Sequence, residues 1–397
     1  MIDPVVFRQI RNHIMEQPYD DSQLGLLQGT GGEALFLFYA AKVLSEPSFA
    51  DDGAQLIGKA LDALERLSPE PRNFCYVSGL AGLTWTINHL HRQEMLDFDL
   101  AEFSVFETIS AKMMEEHFAE GYYDLTMGLV GQAYYFLDKT DRTFSENKLL
   151  ENAVRMICDL AKPLPGGFTW IDPPYEAQDK GKTTYNIGLA HGLPCSVVFL
   201  AKAYKAGILR EKIKPVLEGA VHYILSLRLG PEHQLPNLFP SRIVDGEPEA
   251  PSRLGWCYGD PGVALMLLQA GRTLGNAGWE KTAGEIMLHC TKRRSYEETR
   301  LVDANLCHGV TGVSAMFKRY YWETGESLYK EHANYWAEQA FRYARCENNR
   351  LMFAYKSMHD TGYTYTGLLE GSAGCGLGLL SALSETPLAW DECMLMS

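Results

Sequence analysis

No apolar run in this chain approaches the ~18 consecutive residues that a membrane-crossing helix needs. The start, Met1-Ile2-Asp3-Pro4, has no signal-peptide pattern either. Both absences point to a cytosolic protein. A basic surplus is missing too: the net charge is −14, which excludes a protein that tracks a nucleic-acid backbone, since that needs a basic face. The nine cysteines lack any short-spaced framework, and a chain of this length needs no disulfide staples. They are expected to be reduced. Cys75, Cys158, Cys195, Cys290, Cys346, Cys375 and Cys393 in particular read as small buried hydrophobes. Convincing strand alternation is scarce, so a small hairpin or two in the loops is the most β-structure expected.

What is present is a repeat. The 397 residues are 46% hydrophobic and 22% charged, as in soluble globular proteins. Length alone would suggest ~2–3 domains. One element recurs instead: Gly-x-x-Gly or a near match, followed by a mostly apolar, small-residue-rich stretch. It stands at Gly29–Gly32, Gly79–Gly82, Gly128–Gly131, Gly192–Cys195, Gly259–Gly262, Gly309–Gly312 and Gly371–Gly374. The first glycines are 50, 49, 64, 67, 50 and 62 residues apart. Seven copies at such intervals decide the architecture.

Stretches such as Glu33–Ala41, Val263–Leu268 and Gly376–Leu383 are apolar on nearly every side and predict helices covered all round. Between them lie amphipathic stretches, with Leu56, Ile57, Ala60, Leu61, Leu64 and Leu67 on one face and Lys59, Asp62, Glu65 and Arg66 outside. Val216–Leu227 and Tyr335–Tyr343 behave alike. Each repeat is thus one inner and one outer helix. Such hairpins bury a face against their neighbours, in an open solenoid or a closed ring. Glycines that let inner helices crowd towards a common axis favour the ring: an all-α, double-layered (α/α)7 toroid in a single domain, residues 1–397. Two Pro/Gly-rich loops, Pro163–Asn186 and Gly230–Gly255, are long enough to be functional rather than idle. They are expected to frame a ligand entrance.

If the repeats share one structure, the two residues before each first glycine occupy equivalent places on one rim. In copies one, two, three and seven these are Leu27-Gln28, Val77-Ser78, Thr126-Met127 and Leu369-Glu370. In copies four, five and six they are Ala190-His191, Cys257-Tyr258 and Cys307-His308. Thiols and imidazoles therefore fall on one rim and one arc. The richest stretch is Gly255-Trp256-Cys257-Tyr258-Gly259-Asp260-Pro261-Gly262, a rigid turn that delivers a thiol to a helix mouth, where a thiolate is stabilised. Two thiolates and an imidazole, Cys257, Cys307 and His308, suit a tetrahedral zinc ion with one position open. His191 is then a fourth ligand or an acid/base beside the metal. Set against this, each cysteine alone reads as a buried hydrophobe, His191 as a hydrogen-bonded core histidine, Asp124 as a cap or turn residue, and Arg253 as a solvated loop charge. Trp256 and Tyr258 alone read as packing.

Taken together, Asp124-Leu125-x-x-Gly128, Gly188-Leu189-Ala190-His191-Gly192, Arg253-x-x-Trp256-Cys257-Tyr258-Gly259 and Leu306-Cys307-His308-Gly309 resemble the lanthionine synthetase C-like family, over essentially the whole chain. The resemblance implies an (α/α)7 toroid with Zn2+ held by Cys257, Cys307 and His308, and a fourth position for water and then a substrate cysteine. It implies acid/base and activating roles for His191, Asp124 and Arg253, with Trp256 and Tyr258 shaping the pocket. The implied reaction is addition of a cysteine thiolate to dehydroalanine or dehydrobutyrine in a dehydrated precursor peptide. His191, as imidazolium, is expected to protonate the resulting enolate. With no dehydratase region ahead of the first repeat, the implied partners are a precursor peptide, a separate dehydratase and an exporter, in a cytoplasmic protein peripheral to the membrane through that complex. One departure is Cys195, where glycine would close the fourth turn; a packing change is expected there. A rival reading keeps the zinc and a thiol such as glutathione but makes the protein an adaptor. Another, a sugar-directed helical toroid with Asp124 and Asp260 as opposed carboxylates, leaves the Cys/Cys/His arc unexplained.

Overall fold

The computed structural model describes residues 2–68, 70–173, 180–249, 251–356 and 361–397. Its helices up to the middle of the chain are α1 (Val5–Met15), α2 (Thr30–Leu44), α3 (Pro47–Leu64), α4 (Leu80–Arg92), α5 (Ser104–Glu120), α6 (Leu129–Asp138), α7 (Phe144–Leu160), α8 (Leu193–Lys205) and α9 (Arg210–Ser226). There follow α10 (Asp260–Leu274), α11 (Ala277–Cys290), α12 (Tyr296–Thr299), α13 (Val310–Thr324), α14 (Ser327–Gln339) and α15 (Ser372–Leu383). Every one of the seven first glycines is the residue immediately before a helix: α2, α4, α6, α8, α10, α13 and α15.

The reason for glycine lies in how these helices start. The first N–H groups of a helix lack intrahelical acceptors, and glycine offers no capping side chain. The chain ahead of the helix folds back and supplies carbonyls instead. In the sixth turn the amides of Val310, Thr311 and Gly312 donate to Asp303, Ala304 and Asn305, and in the seventh those of Ser372, Ala373 and Gly374 donate to Tyr365, Thr366 and Gly367. Turns one and three repeat this seven-residue step, with Thr30 on Gln23 and Leu129 on Tyr122. A chain pressed so closely against the helix leaves no room for a Cβ. One added at Gly312 would lie 2.0 Å from the Leu306 carbonyl oxygen, and one at Gly374 1.7 Å from that of Leu368. In the fourth turn the buried Cys195 takes this place, with its thiol in reach of the Leu125 amide.

The described residues group into two compact units. The first comprises Met1–Val105 and Leu301–Asp391, the second Phe106–Arg300 and Glu392–Ser397. In the first, α4, α2, α15 and α13 pack side by side, with α3 on α2 and α14 on α13. A 3-10 segment, Ala389–Met394, follows α15, and α1 packs on α15. In the second unit, α6, α8 and α10 pack in series, backed by α7, α9 and α11. Burial follows the sequence pattern. Every residue of α4 from Leu80 to Leu90 is buried, whereas α3 buries Phe49, Gly53, Leu56, Ile57, Ala60 and Ala63 at helical spacing. Among the described residues no helix is long and apolar enough to cross a membrane.

The turns of the first unit are tied to one another at the residues expected to share a rim. The amides of Leu27 and Gln28 donate to the Val77 carbonyl, Leu369 donates to Leu27, and Leu306 and Cys307 donate to Leu369. Val77, Leu27, Leu369 and Cys307 each stand two residues before a first glycine.

β-Structure exceeds the expected hairpin or two. β1 (Lys162–Leu164) pairs with β2 (Gly167–Thr169), while β3 (Thr184–Asn186), β4 (Arg242–Val244) and β5 (Glu247–Glu249) form a three-stranded antiparallel sheet. β6 (Ala344–Glu347) pairs with β7 (Arg350–Phe353), and β8 (Tyr355–Lys356) with β9 (Thr361–Gly362). Strands of two to four residues are too short to show alternation, which is why periodicity missed them. The sheet joins the two long loops directly, with Tyr185 opposite Ile243. Residues 174–179 of the first loop and residue 250 of the second lie outside the described residues. Cys346, on β6, is exposed rather than buried, because its strand edges a hairpin instead of a helix layer.

Two glycine replacements should move stability in opposite directions. Gly58 lies within α3 with nothing within 4 Å of an added Cβ, so Gly58→Ala should stabilise by about 1 kcal/mol through helix propensity. Gly374→Ala gains the same propensity but meets the Leu368 carbonyl, and should destabilise by about 1–3 kcal/mol or more. Urea midpoints at unchanged m-value test both signs.

Candidate active site

The third and fourth turns, both in the second unit, place a carboxylate and an imidazole in contact. Asp124 stands four residues before Gly128, and its Oδ1 accepts from the amides of Met127 at 2.8 Å and Gly128 at 3.0 Å. That is the turn-capping role expected of an aspartate there. Capping with one oxygen aims the other outward. Oδ2 accepts from the Thr126 hydroxyl at 3.1 Å and from His191 Nδ1 at 2.6 Å. A carboxylate only accepts, so Nδ1 carries the proton and exchange with a substrate falls to Nε2. Asp124 is wholly buried, while the His191 side chain remains 31% exposed. Burial lowers the imidazole pKa, but the Asp124 charge and hydrogen bond outweigh it, and His191 titrates above its ordinary 6.5.

Next to this pair lies a group that sequence reasoning missed. Asp172 is buried; its Oδ1 accepts from the Tyr123 hydroxyl at 3.4 Å and its Oδ2 from Asn186 Nδ2 at 3.2 Å. Asn186 Nδ2 also donates to the Tyr258 hydroxyl at 3.1 Å, and Asn186 Oδ1 accepts from the Gly188 amide at 2.9 Å. Burial raises the Asp172 pKa to about 7 despite the Asn186 hydrogen bond, with the nearby Asp124 charge raising it further. Burial likewise pushes the Tyr258 phenol upward, so it stays neutral. The one signal in the sequence was the position of Asp172 and Asn186 inside a long Pro/Gly-rich loop that precedes the His191 turn.

Cys257, buried, sits on the turn before α10. The fourth turn comes so close to it that a Cβ on Gly188 would lie 1.9 Å from the Cys257 carbonyl oxygen. The lone-glycine gap is what allows the His191 and Cys257 turns to meet. Trp256 is 1% exposed, and its indole N–H donates to the Met394 carbonyl at 2.8 Å, so it packs behind the turn and stiffens it. Tyr258 is part-exposed. Arg253 is also part-exposed, and its guanidinium has no hydrogen-bond or ion-pair partner among the described residues. Asp260 belongs to the scaffold: wholly buried, it pairs with Arg293 at 3.2 Å and accepts from the Leu238 and Phe239 amides. This ties a long loop to the head of α10 and removes Asp260 from a sugar-hydrolysing pair.

In the first unit, Cys307 and His308 occupy the turn before α13. The Cys307 amide donates to the Leu369 carbonyl at 3.1 Å, and the His308 amide to Asn305 Oδ1 at 2.8 Å. Asn305 Nδ2 lies 3.2 Å from His308 Nε2, and Asp303 Oδ2 lies 3.4 Å from the same nitrogen. Asp303 is wholly buried, and its Oδ1 is a buried oxygen without a hydrogen bond among the described residues. A carboxylate beside one imidazole nitrogen is the usual backing for a histidine whose other nitrogen binds a metal. Thiols and imidazoles, the groups that Cys257, Cys307 and His308 carry, are the kind of donor that suits zinc.

The Asp124–His191 pair is open to direct measurement. In NMR titrations His191 should titrate above 6.5, and lower in Asp124→Asn than in the wild type, because the largest of the charges opposing the burial penalty is then gone while Asp172 and Cys257 remain. A raised folded-state pKa means the pair stabilises the fold fully below the unfolded value and loses that contribution as pH rises through the folded one. Equal titration in both proteins would contradict the assignment.

Comparison with known proteins accords with this geometry. Residues 20–395 match the model of the lanthionine synthetase C-like protein family. The chain is similar to the nisin biosynthesis protein NisC of Lactococcus lactis subsp. lactis, at 26% identity over 326 residues, covering 76% of this chain and 72% of that one. It is also similar to the glutathione S-transferase LANCL1 of Danio rerio, at 23% identity over 257 residues, covering 62% and 59%. Among solved structures it resembles a nisin cyclase with a TM-score of 0.77 at 21% identity, over 98% of this chain and 96% of the other. That likeness gives the fold class as all-α, an α/α toroid. The chain belongs to the lanthionine synthetase C-like protein family.

Proposed function

We propose that this protein is a zinc-dependent lanthionine synthetase. It adds a cysteine thiol of a dehydrated precursor peptide to a dehydroalanine or dehydrobutyrine of the same peptide, closing a thioether ring. One observation carries the reading: a hydrogen-bonded Asp124–His191 pair on a turn that abuts the Cys257 turn through Gly188. Family membership and the similarity to a nisin biosynthesis protein support it.

Cys257, Cys307 and His308 would hold the ion, with Asp303 and Asn305 backing His308. Zinc would supply a Lewis acid that keeps a cysteine thiol deprotonated near neutral pH. Holding both reacting groups of one peptide in the site makes the addition effectively intramolecular. A carbon–sulfur bond forms at the β-carbon, and the double-bond electrons move to the adjacent carbonyl as an enolate. His191 then passes its Nε2 proton to the α-carbon, restoring the carbonyl. The Asp124 bond at Nδ1 fixes the ring plane, so the proton comes from one face and sets the stereochemistry. Arg253, with its guanidinium unpaired among the described residues, stabilises the developing negative charge. The precursor peptide comes from a separate dehydratase, and an exporter removes the product. We place these steps in the cytoplasm and read residues 1–397 as one domain.

The relation to a protein named as a glutathione S-transferase favours a second reading, in which the thiol held at the site is that of glutathione. Incubating a dehydrated peptide with and without glutathione separates the two, since only one adds mass to the peptide.

Metal analysis should find zinc in the purified protein and less in Cys257→Ala. Ring closure leaves mass unchanged, so cyclisation is scored by loss of alkylatable thiols. His191→Asn should slow it by about 10²–10⁴-fold. Because the acid is the imidazolium, the wild-type rate should fall as pH rises through the elevated His191 pKa, and at lower pH in Asp124→Asn. A wild type without zinc, or a His191→Asn variant with unchanged rate and stereochemistry, would contradict the proposal.

A further inference from the structure

Resting on the cyclase reading above, we propose that Asn186, backed by Asp172, is a positioning residue that makes the Tyr258 hydroxyl a hydrogen-bond donor to the substrate carbonyl oxygen on which enolate charge develops.

Asn186 Oδ1 accepts from the Gly188 amide at 2.9 Å, which fixes the orientation of the side-chain amide. Its Nδ2 therefore faces the other way, and its two hydrogens go to Asp172 Oδ2 at 3.2 Å and the Tyr258 oxygen at 3.1 Å. An amide nitrogen cannot accept a hydrogen bond. Tyr258 is thus the acceptor in this contact, and its own hydrogen is left for another partner. Among the described residues the Tyr258 hydroxyl has no other partner, and the side chain is part-exposed beside Cys257.

Asp172 explains why the amide does not rotate. Its carboxyl is buried, holds the Tyr123 hydroxyl at 3.4 Å, and is anchored by its own amide to the Thr184 carbonyl at 2.8 Å. Gly188 carries the Asn186 bond, and it is also the residue whose missing side chain admits the Cys257 turn. One asparagine therefore couples the shape of the His191 turn to the polarity of the Tyr258 hydroxyl. In the reaction, addition forms the carbon–sulfur bond and moves the π electrons to the carbonyl oxygen. The Tyr258 hydrogen stabilises that oxygen without leaving the phenol, and His191 supplies the proton that reaches the α-carbon.

The test is a double-mutant cycle on cyclisation of a dehydrated class I lanthipeptide precursor, paired with Raman spectra of the tyrosine ring doublet. Asn186→Asp keeps the acceptor for Gly188 but replaces the donor to Tyr258 with an acceptor, so the phenol should turn inward. Expected is a loss in kcat of roughly 10²–10³-fold with KM nearly unchanged, and a similar loss in Tyr258→Phe. The double variant should lose no more than Tyr258→Phe alone. Asp172→Asn, which leaves the Gly188 bond untouched, should show a smaller loss of the same kind and serves if Asn186→Asp fails to fold. The Tyr258 doublet, isolated by subtracting the Tyr258→Phe spectrum, should read as acceptor in the wild type and donor in Asn186→Asp. Additive losses, an unchanged kcat, or a doublet that does not switch would overturn the assignment. A wild type that closes no ring but shows the doublet switch would instead refute the cyclase reading and leave the hydrogen-bond assignment standing.

Discussion

The structure depends on a backbone that supplies its own helix caps. In four of the turns the chain doubles back so that carbonyls seven residues upstream receive the first helical amides. This satisfies donors that would otherwise be buried without partners. The arrangement requires glycine, because the returning chain occupies the volume of a side chain, as at Gly312 and Gly374. Once the turn is held this way, the residues just ahead of each first glycine have nowhere else to go. In the first unit they are linked amide to carbonyl from Val77 through Leu27 and Leu369 to Cys307. A repeated turn also places whatever chemistry those residues carry.

Asp124 shows how scaffold and chemistry share one group. Its local task is to cap a turn through Oδ1, and that task is what orients Oδ2 towards His191. Reading it as a turn residue and reading it as a catalytic partner are therefore compatible. Asn186 behaves alike, bracing Gly188 with its oxygen and directing Tyr258 with its nitrogen. Asp260, by contrast, is spent entirely on the scaffold. Arg293 and two loop amides fill its coordination and leave nothing for a ligand.

Much of this was legible in the sequence because the repeat converts one-dimensional spacing into position. Seven glycines predicted the heads of α2, α4, α6, α8, α10, α13 and α15, and the pre-glycine pairs singled out His191, Cys257, Cys307 and His308. What lay outside the repeat was not legible. Asp172 and Asn186 reach the site from a loop with no period, and their roles follow from contacts with Tyr123, Tyr258 and Gly188 that spacing does not encode. The short strands joining the two long loops escaped for the same reason. The packing of Trp256 was not legible either, because an aromatic beside a cysteine on a turn can face either way. The Met394 carbonyl, 138 residues downstream, decides that it faces inward.

The central claim is the proposal that Cys257, Cys307 and His308 hold one zinc ion. X-ray absorption at the zinc edge of the purified full-length protein tests it most directly. The account predicts a first shell of two sulfurs with nitrogen or oxygen completing it, and one sulfur fewer in Cys307→Ser. A shell of nitrogen and oxygen alone, or four sulfurs, would contradict it.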